Sequence, residues 1–164
     1  MTGKEWSPCW AQTLSPWIRR EGLSNGLAFS PDEKYLYLTD TSGGKKSIMR
    51  FEVQPDDTIS NGQLFIEMNA DKAPGGPDGM KVDQKGNVYC TGPGGLWIMS
   101  PDGTHLGTIL TSELPANLSF GGTDGKMLFL SARTGFISDT SEDTWNIPWT
   151  EIAKSCAPIR FSLC

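Results

Sequence analysis

Two stretches of the chain repeat one another: SNGLAFSPDEKYLYLTD from Ser24 to Asp40, and GPDGMKVDQKGNVYCTG from Gly76 to Gly92. In each, a residue with a side-chain oxygen, Asn25 or Asp78, stands directly before a glycine and an alternating apolar run. A neutral oxygen and an anionic one at the same point of one repeated unit serve either a turn or a site. Asn-Gly and Asp-Gly are common turn dipeptides, so the turn reading stands beside the functional one. Other reactive residues narrow the field. No serine sits in a G-x-S-x-G elbow, and the GGPDG run lacks the GK[ST] ending of a phosphate loop. His105, the one histidine, follows a PDGT turn and reads as a surface residue. Cys9, Cys90, Cys156 and Cys164 lack metal-type spacing and read as free thiols.

The elements that must position Asn25 and Asp78 follow from composition and period. A chain of 164 residues is long enough for one domain with its own core. Its 19 glycines and 11 prolines call for many turns, hence short strands rather than long helices. The net charge is −5 and the basic doublets are Arg19-Arg20 and Lys45-Lys46, so no basic footprint for nucleic acid is visible. No apolar run approaches the ~18 residues of a membrane span. The first twenty residues lack the apolar stretch of a secretory signal, roughly 7–15 residues long. A soluble, cytoplasmic protein with no nucleic-acid or membrane partner is therefore expected.

The repeat begins three times, near Asn25, Asp78 and Asn117. First strands are predicted near Leu27–Ser30, Met80–Asp83 and Leu118–Phe120, where apolar residues alternate. Turns at SPDEK, DQKGN and GGTDGK lead to second strands at Tyr35–Thr39, Val88–Thr91 and Met127–Ser131. Two more strands follow each of the first two starts: Ser47–Val53 and Gly62–Met68, then Gly94–Ser100 and His105–Leu110. Four short antiparallel strands per repeat of about 40–50 residues describe a propeller blade. Trp97 and Phe129 are expected to pack between blades. Residues 24–133 thus read as a partial β-propeller. Residues 1–23 and 134–164 form non-repeat flanks, with a helical turn at NIPWTEIAKS and loosely packed ends at 1–20 and 140–164.

The quoted motifs, with GGPDGMKVDQKGNVYCTGPGGLWIMSPDG and ANLSFGGTDGKMLFLSAR, resemble the gluconolactonase family, which includes senescence marker protein and luciferin-regenerating enzyme. The resemblance covers Leu23 to Arg133. It implies an all-β fold, a β-propeller of the six-bladed type with a divalent cation on its axis. Here that fold would be an incomplete fragment of about two and a half four-stranded blades. The implied activity is hydrolysis of a lactone, typically a sugar lactone.

Carried over by motif, the resemblance implies that Asn25 is a metal ligand and that Asp78 is both a ligand and the catalytic general base. Equivalent points of successive first strands converge on a propeller axis, and oxygens gathered there suit a hard cation. Calcium is expected first, with magnesium, manganese or zinc as alternatives. Gly26 and Gly79 would let backbones approach closely at the crowded mouth. Asn117 sits at the third start without the following glycine and is expected to form a pocket wall. The family's site also uses a glutamate near the start of its first blade. Glu5 and Glu21 stand in no matching motif and are assigned no role. With two of three implied ligands, the chain is expected to bind metal weakly and to show little lactonase activity. The competing readings are a non-catalytic calcium-binding or interaction fragment, and an inactive truncated product.

Overall fold

A computed structural model describes residues 24–121, 127–132, 135–136 and 160–161. The expectations for residues 1–20, for the NIPWTEIAKS turn and for nearly all of 140–164 lie outside the described residues. The described chain is all-β apart from a 3-10 turn at Ser42–Gly44. Among the described residues no helix is long and apolar enough to cross a membrane.

The first sheet comprises β1 (Leu27–Phe29), β2 (Tyr35–Asp40), β3 (Ser47–Val53) and β4 (Ile59–Glu67), paired antiparallel in that order. The second repeats the plan with β5 (Met80–Val82), β6 (Val88–Gly92), β7 (Gly95–Met99) and β8 (His105–Leu110). The third is built on β9 (Pro115–Gly121) and β10 (Met127–Ala132). Beyond the expected pair it gains β11 (Gly135–Phe136), antiparallel to β10, and β12 (Arg160–Phe161), parallel to it. Aspartates close the turns: Asp32 accepts the Lys34 N–H, Asp83 those of Lys85 and Asn87, and Asp102 that of Thr104.

Side chains alternate across each strand, so every sheet has two faces to bury. Tyr37, Ile48, Phe65 and Met68 of the first sheet pack against Met80, Val88, Cys90, Trp97 and Met99 of the second. The other face of the second sheet, with Tyr89, Leu96, Ile98 and Ile109, meets Leu118 and Leu128 of the third. Each large apolar side chain fully buried here contributes roughly 1.5–3 kcal/mol, so the stacking of sheets is the main cohesive interaction. Trp97 fills the first interface as expected. Phe129 does not fill the second. Leu128 and Leu130 flank it and face the second sheet, so alternation turns Phe129 the other way; Phe120 packs there instead, edge-on to Tyr89 with centroids 5.2 Å apart. Arg50 joins the first two sheets further out: its guanidinium lies 4.8 Å from the Tyr35 ring centre and donates to the Pro101 carbonyl at 3.2 Å.

A candidate oxygen-ligand site at the strand starts

The turn reading of Asn25-Gly26 and Asp78-Gly79 does not hold. Both dipeptides are entries into strands, and neither glycine has the positive φ that a hairpin turn of that sequence requires. Their glycines answer a different need. A Cβ on Gly26 would overlap the Asp78 carbonyl oxygen. A Cβ on Gly79 would lie 2.5 Å from both Cα and Oδ1 of Asn117. The Gly79 N–H donates to the Ala116 carbonyl at 2.9 Å, tying the second sheet to the third. The starts of β1, β5 and β9 therefore converge at one place, and the absence of side chains at Gly26 and Gly79 permits it.

Strand register corrects the placement of Asn117. Leu27 pairs with Leu38, Met80 with Cys90 and Leu118 with Leu130, so these three first-strand residues are equivalent. Asn117 then occupies the place of Gly26 and Gly79, and Ala116 that of Asn25 and Asp78. The third start offers no side-chain oxygen at the shared point. Asn117 is instead bonded locally, its Oδ1 accepting the Leu118 N–H at 2.8 Å, and it lines a shallow pocket with Ser119 and Ser131.

Asp78 is half-buried and Asn25 is exposed. Their main chains are held: the Asp78 N–H donates to Thr91 Oγ1 at 3.0 Å, and the Asn25 and Gly26 N–H groups donate to Thr39 Oγ1 at 3.0 Å each. Their side chains are not held. Among the described residues neither the Asp78 carboxylate nor the Asn25 carboxamide has a hydrogen-bond or ion-pair partner, whereas Asp32, Asp56, Asp83 and Asp102 are all spent on nearby donors. Thr39 and Thr91 escaped the sequence reading, although Tyr-x-Thr recurs at Tyr37–Thr39 and Tyr89–Thr91.

The donor chemistry fits a hard divalent cation. One carboxylate and one carboxamide, both without partners among the described residues, are oxygen donors of the kind such ions take. Among the described residues sulfur does not compete. Cys90 is a buried free thiol whose pKa burial pushes well up, against a smaller lowering by a hydrogen bond to the Asp78 backbone, so it stays protonated. Among the described residues no three His, Cys, Asp or Glu side chains gather to make a complete cage. His105 is exposed, as expected, but its ring stacks on Trp97 with centroids 4.0 Å apart. An open cavity of about 440 Å³ lies on the first sheet beside Leu38, Met49 and Leu64 and reaches Ser24 and Thr39, next to Asn25.

Two four-stranded antiparallel sheets and a third, mostly antiparallel one, stacked face to face with converging first strands, are the architecture of a propeller-type protein. The chain belongs to the SMP-30/gluconolactonase/LRE-like family, whose model matches residues 8–134. It is 36% identical over 119 residues to a gluconolactonase of Zymomonas mobilis, a match covering 68% of this chain and 33% of that protein. It is 34% identical over 113 residues to a 6-deoxy-6-sulfogluconolactonase of Pseudomonas putida, covering 67% of this chain and 38% of that protein. Among solved structures it resembles XC5397, a gluconolactonase of Xanthomonas campestris, with TM-score 0.59, 32% identity, and 69% of this chain and 36% of that one covered. The calcium-binding protein regucalcin of Agrobacterium tumefaciens shares the fold at TM-score 0.58 and 24% identity, with 74% of this chain and 40% of that one covered. The chain thus spans about a third to two-fifths of the length of the relatives it matches.

Proposed function

We propose that Asn25 and Asp78 belong to a divalent-cation site that serves hydrolysis of a sugar lactone, with calcium the preferred ion. The observation that carries this reading is the pair of oxygens, unpartnered among the described residues, at equivalent points of converging strands, each beside a glycine that the neighbouring strand requires. Kinship with gluconolactonases supports the substrate class. A bound divalent cation would supply Lewis acidity toward the lactone carbonyl. Asn25 contributes a neutral oxygen, and Asp78 the charge. The Asp78 carboxylate, with no hydrogen bond from the described residues to restrain it, accepts the proton of the attacking water as general base. Two donors alone hold a cation loosely, with a dissociation constant on the order of 10⁻⁴–10⁻³ M, the weak end for oxygen sites.

Calcium titration calorimetry and pH-stat hydrolysis of gluconolactone, with the uncatalysed opening subtracted, test the reading together. Calcium binding is expected in the wild type, strongly reduced in Asn25→Ala and lost in Asp78→Asn. Any turnover is expected to disappear on chelation and in Asp78→Asn. Calcium binding that Asp78→Asn leaves intact, or turnover that survives chelation, contradicts the proposal.

A further inference from the structure

We propose that Thr91 and Thr39 are positioning residues for Asp78 and Asn25: each reaches from the second strand of its sheet to fix the main chain from which the donor side chain projects. The inference rests on the cation reading and extends it to residues that touch neither cation nor substrate.

Both threonines are fully buried, so their hydroxyls stay only where partners satisfy them. Thr91 Oγ1 accepts the Asp78 N–H at 3.0 Å. Thr39 Oγ1 accepts from both Asn25 and Gly26 at 3.0 Å, while its own hydroxyl faces the Gly26 carbonyl at 3.4 Å. The ladder aligns each pair: the Thr39 N–H donates to the Gly26 carbonyl and the Thr91 N–H to the Gly79 carbonyl, both at 3.0 Å. A valine of nearly the same shape would pack there and suit a strand, yet it would leave without an acceptor the part-buried N–H of Asp78, or that of Asn25 and the buried one of Gly26. The third sheet supplies the contrast. Ala116, with no donor oxygen, stands at the shared point, and the opposite residue is Ser131, partly exposed, whose hydroxyl faces the Asn117 carbonyl at 3.5 Å. A buried threonine thus accompanies the two starts that carry a donor, and the third start lacks both.

The experiment uses the full ¹⁵N-labelled chain and two readouts, amide hydrogen exchange and calcium titration followed by NMR, on wild type, Thr91→Val and Thr91→Ser. In Thr91→Val the Asp78 amide is expected to exchange at least ~10-fold faster, because it has lost its acceptor, while the Gly79 amide on the Ala116 carbonyl is unchanged. The apparent calcium dissociation constant is expected to rise roughly 3–10-fold, and Thr91→Ser, which keeps the hydroxyl, to restore both values. Unchanged exchange at Asp78, or faster exchange with unaltered calcium affinity, overturns the proposal. Thr39→Val, read at the Asn25 and Gly26 amides, is the parallel variant and carries the test if Thr91→Val does not fold. A wild type whose Asp78 resonance is indifferent to calcium overturns the cation reading, and exchange then separately decides whether Thr91 holds the Asp78 main chain.

Discussion

At the scale of single residues, glycine is the sharpest constraint. Gly26 and Gly79 meet neighbouring backbone where a methyl group has no room. Gly26→Ala or Gly79→Ala is expected to cost about 3 kcal/mol, the upper end for over-packing, because backbone cannot swing aside as a side chain can. Gly76 has open space and no positive φ, so Gly76→Ala is expected to fall within about 0.5 kcal/mol of wild type. Urea unfolding of the three variants checks the contrast; equal effects at Gly26 and Gly76 would refute the close-approach argument. The equivalent positions of Asn25 and Asp78 at two strand starts were legible in the sequence because each precedes a glycine in a repeated frame. The one-residue offset of Asn117 is visible in ANLSF only when its leucine, rather than its asparagine, is aligned with Leu27 and Met80. Thr39 and Thr91 were not legible as partners of Asn25 and Asp78, since hydrogen bonds across 14 and 13 positions depend on strand register.

At the scale of elements, period-2 alternation located the first ten strands to within a few residues. Two departures have physical causes. β4 begins at Ile59 rather than Gly62 because Val53 and Glu52 of β3 remain available to pair with Ile59 and Ser60. β9 begins at Pro115 because an irregularity between Ser131 and Ala132 carries the pairing past Ala116. The β7–β8 pair also carries a pH dependence. Although His105 is exposed as a whole residue, partial desolvation of its ring, which stacks on Trp97, lowers its pKa, so as pH falls the unfolded chain takes up the proton first. The contribution of His105 is therefore present above its unfolded value of about 6.5 and is lost as pH drops below it toward the folded value. Thermal melts at pH 7.5 and pH 5 are expected to show a larger drop for wild type than for His105→Gln; identical drops would mean that the stacked ring does not feel its burial.

At the scale of the whole molecule, each sheet turns one face to its predecessor. In the first strands, the residues that meet a preceding sheet are Met80 and Val82 in the second sheet and Leu118 and Phe120 in the third. Their equivalents in the first sheet, Leu27 and Phe29, are 58% and 49% exposed, and Leu64 in the same cross-strand row is 56% exposed. Exposed apolar side chains in one row are where an apolar dye binds. Leu27→Ser with Leu64→Ser is expected to reduce binding of an apolar fluorescent dye while costing less than about 1 kcal/mol, because little burial is lost. Dye binding that stays at the wild-type level would place the sticky surface elsewhere.

The stacking of sheets brings the strand starts together, and whether a cation occupies that convergence is read most directly by paramagnetic broadening. Mn²⁺ titrated into the ¹⁵N-labelled chain is predicted to broaden the amides of Asn25, Gly26, Asp78 and Gly79 first, and chelation or Asp78→Asn to restore them. Broadening centred instead on acidic turns such as Asp56–Asp57, with the four strand-start amides unaffected, would contradict the assignment of Asn25 and Asp78 as the oxygens of the site.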